Sequence, residues 1–572
     1  MVGMQDNIQE KIKKWIAKEL SIEGDFAVEH PKEMERGDLA ANVALIEGKK
    51  QGKNPRELAN EYVEKLAGCV LPEIEHMESA GAGFINIFLK PEFFADAVNE
   101  VMKDGEKFGE NADLKGQKII IEYTVCNVLK PMHIGHLMGN VIGESLSRII
   151  EAEGAEVKRN NYQGDSGLHI ARAVWGIQKL GGKIEGTLSE KTEYIGKAYA
   201  LGANSSEDDE KVKEEIQKLN KEIFEKSNPE LNELYAWGRQ VSLDHFETLY
   251  KKLGTQFDYY FFESEVTDEA LKIVSEFVKK GLFEESDGAV VFHGEKFDPK
   301  LHTRVFVTKQ GLPMYEAKDI AHAIRKYETY KFDTSIVVTA SEQSEYFKVM
   351  LRALQEINPE IALKIKHISH GLLKLVDGKM SSRKGNVITG EVLIDDVEKM
   401  VMEKMVDREM SDEIKKEVAE IVAIGAIKYS ILRQAIGGDI IFDFDKSLSF
   451  EGDSGPYLQY AFVRAQSVLK KSKLQNPNVK IEIPENWETV VLEKLLARFP
   501  EVIARAGREY APHHIATYLI ELAGSFNSFY AGHKIVDEAD PTSPYRLALT
   551  EAFGLVMKKG LDLLGIKVPE EM

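Results

Sequence analysis

Two short stretches of the chain gather side chains suited to phosphate chemistry. The first is His133-Ile-Gly-His136. Two imidazoles three residues apart fall on one face of a first helical turn, and Gly135 between them leaves room for a nucleotide to approach the backbone. A helix N-terminus already attracts phosphate through its free N–H groups and its dipole. Imidazoles added there can donate hydrogen bonds to the charge that develops on a departing pyrophosphate. The second stretch is Lys379-Met-Ser-Ser-Arg-Lys-Gly385, with three cations, two hydroxyls (Ser381 and Ser382) and a glycine in seven residues. Such a loop can close over a triphosphate and neutralise its leaving group. Neither stretch decides anything alone. His367 and His370 repeat the histidine spacing in a context equally suited to a structural role, and a basic turn is often simply solvated.

The elements around these loops supply the missing context. Ile119-Ile-Ile121 is an apolar β-branched run, followed by a loop and then by Leu137, Val141, Ile142, Leu146, Ile149 and Ile150 at helical spacing. Gly154 suits a helix stop, so a βαβ unit with a parallel sheet is expected. The pattern resumes with a strand at Ser335-Ile-Val-Val-Thr339, a helix from about Gln343 and a strand near Ile368. Both loops then fall at the carboxyl edge of one doubly wound sheet, where ligands bind. Between the halves, residues from about 190 to 300 are highly charged and helical, then rich in Phe and Tyr from Phe257 to Phe262. They read as an insertion. Residues 1–110 open with helix and close on the strand-like run Gly81 to Leu89, a small α+β unit. After about Met405 helical periodicity dominates and no strand alternation is evident. The expected architecture is α/β: a Rossmann-like catalytic domain over 111–405, an α+β domain before it, and an all-helical domain over 406–572.

Composition bounds the reading. A chain of 572 residues is too long for one hydrophobic core, and no apolar run approaches the roughly 18 residues of a membrane span. The N-terminal segment from Gln5 to Ile22 alternates charges with apolar positions and lacks a secretory signal's apolar core. Two cysteines, Cys69 and Cys126, exclude a disulfide scaffold and a multi-cysteine zinc site. A cytoplasmic protein without membrane or zinc is expected. The net charge of −20 weakens a polyanionic partner without excluding it, because a local basic surface can coexist with an acidic whole. Ser454 to Lys480 is such a stretch. It holds Arg464, Lys470, Lys471, Lys473 and Lys480, no acid, and the aromatics Tyr457, Tyr460 and Phe462, a mixture suited to a phosphate backbone with splayed bases.

His133-Ile-Gly-His136 and Lys379 to Gly385 together resemble the two signatures of class I aminoacyl-tRNA synthetases. Their surroundings resemble the arginyl-tRNA synthetase family in particular: Asn127 to His136, Tyr162-Gln-Gly-Asp-Ser-Gly167, Tyr315-Glu-Ala-Lys-Asp319 and Glu451 to Tyr460, with Gly37 to Asn42 and Gly81 to Leu89 near the N-terminus. The resemblance spans essentially the whole chain. It implies ATP-dependent ligation of arginine to its tRNA through an arginyl-adenylate, with Mg²⁺ accompanying ATP, by a monomer whose activation step needs bound tRNA. Glu122, Asn127, Tyr315, Asp319 and Gln343 match the family's arginine pocket, and a guanidinium suits two carboxylates and two amide oxygens as lysine does not. Lys130, His133, His136, Lys379 and Lys384 match catalytic phosphate contacts, and Gly135, Met380, Ser381 and Ser382 complete the ATP site. Tyr457, Tyr460, Tyr530 and Met572 match positions against the anticodon loop. Three departures stand out: Ser382 replaces the second signature lysine, for which Lys130 compensates in the resembled pattern; Met138-Gly-Asn140 stands where arginine then Ser-Thr is common; and Ser166 replaces a tryptophan. A cytidylyltransferase-like enzyme shares the histidine turn but needs no long helical C-terminal half. A non-catalytic tRNA-binding paralogue would lack the signature loops.

Overall fold

The computed structural model describes residues 8–376, 389–472 and 481–572. Lys379, Met380, Ser381, Ser382 and Lys384 lie outside the described residues, as do Lys473 and Lys480. The chain forms two units, each assembled from separated stretches.

One unit takes Met1–Gly109, Tyr460–Ala504 and Tyr518–Gly560. Its N-terminal part is an antiparallel sheet of β1 (Val28–Glu29), β2 (Leu39–Ala41), β3 (Ile74–Ala80) and β4 (Phe84–Leu89), in the order β1-β2-β4-β3. The apolar run foreseen from Gly81 to Leu89 supplies β4, with Ile85, Ile87 and Leu89 buried. Ile12, Trp15, Ile16 and Leu20 recur along one face of the Ile8–Leu20 helix and cover this core. The rest of the unit is helical, chiefly the Val491–Glu509 helix and much of the helices His513–Gly532 and Ser543–Leu563.

The other unit takes Glu110–Gln459, Arg505–Thr517 and Leu561–Met572. Its centre is a five-stranded, all-parallel sheet of β5 (Lys118–Glu122), β6 (Glu156–Gln163), β7 (Tyr259–Phe262), β11 (Thr334–Ala340) and β12 (Ile365–His370), in the order β12-β11-β5-β6-β7. Between β7 and β11 the chain forms a small three-stranded antiparallel sheet: β8 (Glu284–Ser286), β9 (Ala289–His293) and β10 (Thr303–Val307). Strand order reverses between β5 and β11, so a crevice opens beyond their carboxyl ends. Ile119, Ile120 and Ile121 are buried on both faces, which is why β5 reads as an unbroken apolar run rather than an alternation. The Ile134–Ala152 helix joins β5 to β6 and stops before Gly154, whose φ of 88° suits a residue without a Cβ.

Two expectations need correcting. The Phe257–Phe262 segment reads from sequence as part of the insertion, but Tyr259–Phe262 is the edge strand β7, parallel to β6 with Tyr162 opposite Phe261. A strand also follows Met405: β14 (Ile440–Phe442) pairs in parallel with β13 (Leu373–Leu375). Both are too short for alternation to register against their helical surroundings.

The final segment, Leu561–Met572, is fastened into this same unit. Ser145 Oγ donates to Leu563 O at 2.9 Å, Arg148 Nη1 to Asp562 Oδ1 at 2.6 Å, and Gln459 Nε2 to Lys567 O at 2.7 Å. The buried ammonium of Lys428 donates to Leu253 O at 2.6 Å and to Gly565 O, and burial pushes its pKa down to about 7.

Candidate active site

The loop after β5 carries strain. Thr124, Val125 and Leu129 have φ of 76°, 48° and 59°, a region that costs non-glycine residues energy and persists where the surroundings fix it. Here they do. Asn140 Nδ2 donates to Thr124 Oγ1 at 2.9 Å while Thr255 Oγ1 donates to Asn140 Oδ1 at 3.0 Å. Leu129 N donates to Ser242 Oγ at 2.9 Å, and Val128 N to Gly164 O at 3.0 Å. The Asn140 departure is thereby explained: its buried amide ties the strained turn to Thr255.

That loop delivers His133 as the N-cap of the Ile134–Ala152 helix. His133 Nδ1 accepts from Gly135 N at 3.1 Å, and His136 Nδ1 accepts from His133 N at 3.2 Å. With both Nδ1 atoms accepting, the network assigns the proton of each neutral ring to Nε2. The rings stack at 3.6 Å. Burial, reinforced by the Lys130 charge, pushes His133 down to about 4, and burial with the charges of His133, Lys130 and His370 lowers His136. The turn therefore presents two neutral Nε2–H donors at a helix N-terminus. Lys130 Nζ lies 5.7 Å from the ring of Tyr199. Of the second histidine pair, His367 stacks on Phe347 at 4.1 Å and meets Thr339 Oγ1 at 2.8 Å. His370 Nδ1 lies 2.8 Å from Gly371 O.

A cluster of acids occupies the same sheet edge. Glu122 ends β5, in register with Asn160 of β6. Its Oε2 accepts from Asn160 Nδ2 at 2.7 Å, His322 Nε2 at 2.7 Å and Lys326 Nζ at 2.8 Å. Burial pushes its pKa up, but Lys326 and His322 outweigh that and hold it at about 2. Asp319, one turn into the Tyr315–Thr329 helix, accepts from the Tyr346 hydroxyl. It has no ion pair among the described residues. Burial, with the charges of Glu122 and Glu263, pushes it up to about 8. Lys318 Nζ pairs with Glu263 and donates to Ser166 Oγ at 3.1 Å, while Ser166 Oγ donates to Glu263 Oε2 at 2.9 Å. The serine replacing tryptophan thus belongs to a buried ion-pair network.

The remaining pocket candidates frame this cluster. Tyr315 begins its helix half-exposed, with Lys318 Nζ 4.8 Å from its ring. Gln343 is exposed in the turn after β11. Asn127 bridges to Gly164, where an added Cβ would stand 2.1 Å from Asn127 Oδ1 and would displace the Asn127 amide. Sequence reading missed Lys326 and His322. The signal was present, since Asp319, His322 and Lys326 stand three and four residues apart on one helix face.

The tRNA candidates divide between the units. Tyr460 and Tyr530 flank the Arg464 guanidinium, at 4.8 and 5.5 Å from the ring centroids, and Arg464 Nη1 donates to Asn527 Oδ1 at 2.6 Å. Tyr457 and Met572 belong to the unit that holds the parallel sheet. Among the described residues no group of three or more metal-ligating side chains is placed to hold a metal ion, and no helix is long and apolar enough to cross a membrane.

Comparisons with known proteins identify the family. Residues 97–444 match the family described as tRNA synthetases class I (R), catalytic domain. Residues 458–572 match the DALR anticodon binding domain, and residues 4–89 the arginyl tRNA synthetase N terminal domain. The arginine–tRNA ligase of Streptococcus mutans is 35% identical over 554 residues, and that of Ligilactobacillus salivarius 33% over 553, each alignment covering 95% of both chains. The solved Thermus thermophilus arginyl-tRNA synthetase shares the fold with a TM-score of 0.79 at 23% identity, over 99% of this chain and 100% of that one. With the catalytic match spanning more than half of its length and its flanking domains matched on either side, the chain belongs to the arginyl-tRNA synthetase family of class I aminoacyl-tRNA synthetases.

Proposed function

We propose that Glu122, Asn127, Tyr315, Asp319 and Gln343 hold arginine while Lys130, His133 and His136, with Lys379 and Lys384, hold the phosphates of ATP. The reaction is that of the family: ATP-dependent ligation of arginine to tRNA through arginyl-adenylate, releasing pyrophosphate and AMP. Asp319 carries the reading, because a pocket carboxylate with no ion pair among the described residues, beside a capped histidine turn, suits a guanidinium next to a nucleotide. An arginine carboxylate oxygen attacks the α-phosphorus as the bond to the β-phosphate oxygen breaks in line. Charge grows on the pyrophosphate, where the Nε2–H groups of His133 and His136 donate hydrogen bonds. Gly135, Met380, Ser381 and Ser382 line the nucleotide. Mg²⁺ enters with ATP as the counter-ion of the triphosphate. The terminal ribose hydroxyl of tRNA then attacks the arginyl carbonyl carbon, and the bond to the AMP phosphate oxygen breaks.

In this reading residues 1–110 bind tRNA, 111–405 catalyse, and 406–572 receive the anticodon loop through Tyr457, Tyr460, Tyr530 and Met572. The enzyme works as a monomer in the cytoplasm, a reducing compartment that suits its two free cysteines. ATP–pyrophosphate exchange with each amino acid in turn, with and without tRNA, tests the assignment. Arginine alone should support exchange, and robust exchange with another amino acid would overturn it.

A further inference from the structure

Five acids surround the proposed amino-acid pocket, and four have a resident cation. Glu122 pairs with Lys326 at 2.8 Å, Asp165 with Arg239 at 3.1 Å, Glu316 with Arg304 at 3.1 Å, and Glu263 with Lys318. Asp319 accepts from the Tyr346 hydroxyl and has no ion pair among the described residues. Lys326 is the most telling partner. Its residue is 1% exposed, and a lysine carried into a protein core is tolerated when its charge is matched and hydrogen-bonded. Its Nζ shares Glu122 Oε2 with His322 and Asn160, and none of the three reaches Oε1.

We propose that Lys326 is a positioning residue of the pocket: it cancels the charge of Glu122 and leaves Asp319 as the acid whose charge a guanidinium matches. The proposal rests on the arginine-pocket reading above and deepens it. Glu122 then serves the substrate as an oriented hydrogen-bond acceptor through Oε1, held by the Oε2 network. The pocket offers one unmatched negative charge to a side chain carrying one positive charge. A second unmatched acid would be buried at a cost in the unliganded enzyme, and an unmatched Lys326 would repel the substrate.

A charge-compensation series on the full chain, assayed by pyrophosphate exchange with tRNA present, tests this. Glu122→Gln keeps an acceptor oxygen but leaves Lys326 uncompensated. It should raise the arginine KM at least about thirtyfold while the ATP KM stays near the parent value. Adding Lys326→Met to that variant should lower the arginine KM by at least about tenfold relative to Glu122→Gln alone, a recovery that a direct ionic contact between Glu122 and arginine would not permit. A double variant as impaired as the single one overturns the proposal. Should Glu122→Gln alone fail to fold by thermal melting, Glu122→Gln combined with Lys326→Met or with Lys326→Gln is compared with the parent. Both doubles are charge-balanced and should keep the arginine KM at least about tenfold below that of Asp319→Asn, and a KM equal to that variant's in both overturns the proposal. Asp319→Asn, run alongside, separates the two levels. If it leaves the arginine KM unchanged the pocket itself is misassigned, whereas its loss of binding with no rescue in the double variants removes only the role of Lys326.

Discussion

At the scale of single residues, a carboxyl group that must shed its proton before accepting a guanidinium makes substrate binding depend on pH. Asp319 is pushed up to about 8 in the unliganded protein, chiefly by burial. Below that pH each arginine bound releases a proton, so the arginine KM should fall about tenfold per unit as pH rises and level off above about 8. Asp319→Asn should abolish this dependence and weaken arginine binding by about 2–5 kcal/mol, the cost of unpairing a buried charge. An arginine KM that is flat between pH 6 and 8 in the parent would remove Asp319 from this role. The same group bears on stability with a definite sign. Its folded pKa lies above the unfolded value of about 3.9, so the fold binds a proton that the unfolded chain does not, and stability falls as pH rises between the two values. Asp319→Asn should therefore melt higher than the parent at pH 8 while binding arginine worse. Glu122 behaves oppositely: held at about 2, it contributes stability above its unfolded value of about 4.3 that is lost as pH falls towards 2. The pair Glu122 and Asp319 was visible in the sequence through its motifs. Lys326 shows only through its spacing from Asp319 and His322 on one helix face, because taken alone a lysine on a charged helix looks like a solvated one.

At the scale of elements, the Gly455–Lys471 helix carries an aromatic beside a guanidinium and, at its end, an exposed lysine, the two features through which the proposed reading has it hold RNA. Its aromatic side sets Tyr460 against the Arg464 guanidinium, with Tyr530 on another helix facing the same cation. Its end exposes Lys470. Stacking and phosphate contact respond differently to substitution. Tyr460→Ala should cost about 1–3 kcal/mol of tRNA binding, concentrated on the cognate anticodon. Lys470→Ala should weaken all tRNAs alike and reduce the salt slope by about one. A Tyr460→Ala variant that melts like the parent and charges cognate and altered anticodons in the parent's ratio would rule out anticodon reading by this residue. Elements announced themselves according to length and environment. β5 and β11 each centre on an unbroken apolar triplet buried on both faces, residues 119–121 and 336–338, and the helix between β5 and β6 is long enough for its period to show. β7 is four residues, all of them aromatic, between charged helices, and β14 is three residues. Neither is long enough for a period of two to compete, and only the neighbouring strand identifies them. Local sequence did not foretell that the N-terminal sheet shares a unit with residues 460–504 and 518–560, because packing between distant stretches has no local signature.

At the scale of the whole molecule, an enzyme with a net charge of −20 must draw tRNA by local contacts rather than by its overall field. Closure on that tRNA is then a natural point for control. Negligible pyrophosphate exchange is expected without tRNA and robust exchange with it, a specificity-by-closure scheme. Equal rates in the two conditions would mean that arginine is activated by the protein alone. The seating of residues 561–572 on the sheet unit bears on a different event, the order in which the protein is made. Ser145, Arg148 and Lys428 emerge from the ribosome before the carbonyls and carboxylate that satisfy them at Leu563, Asp562 and Gly565. Domains generally fold as they emerge, at about 5–20 residues per second. While residues 460–560 are still being translated, the ammonium of Lys428 lacks one of its two carbonyl partners. The nascent sheet unit must wait, incomplete and exposed to chaperones and proteases, for a stretch of chain encoded near the far end of the sequence.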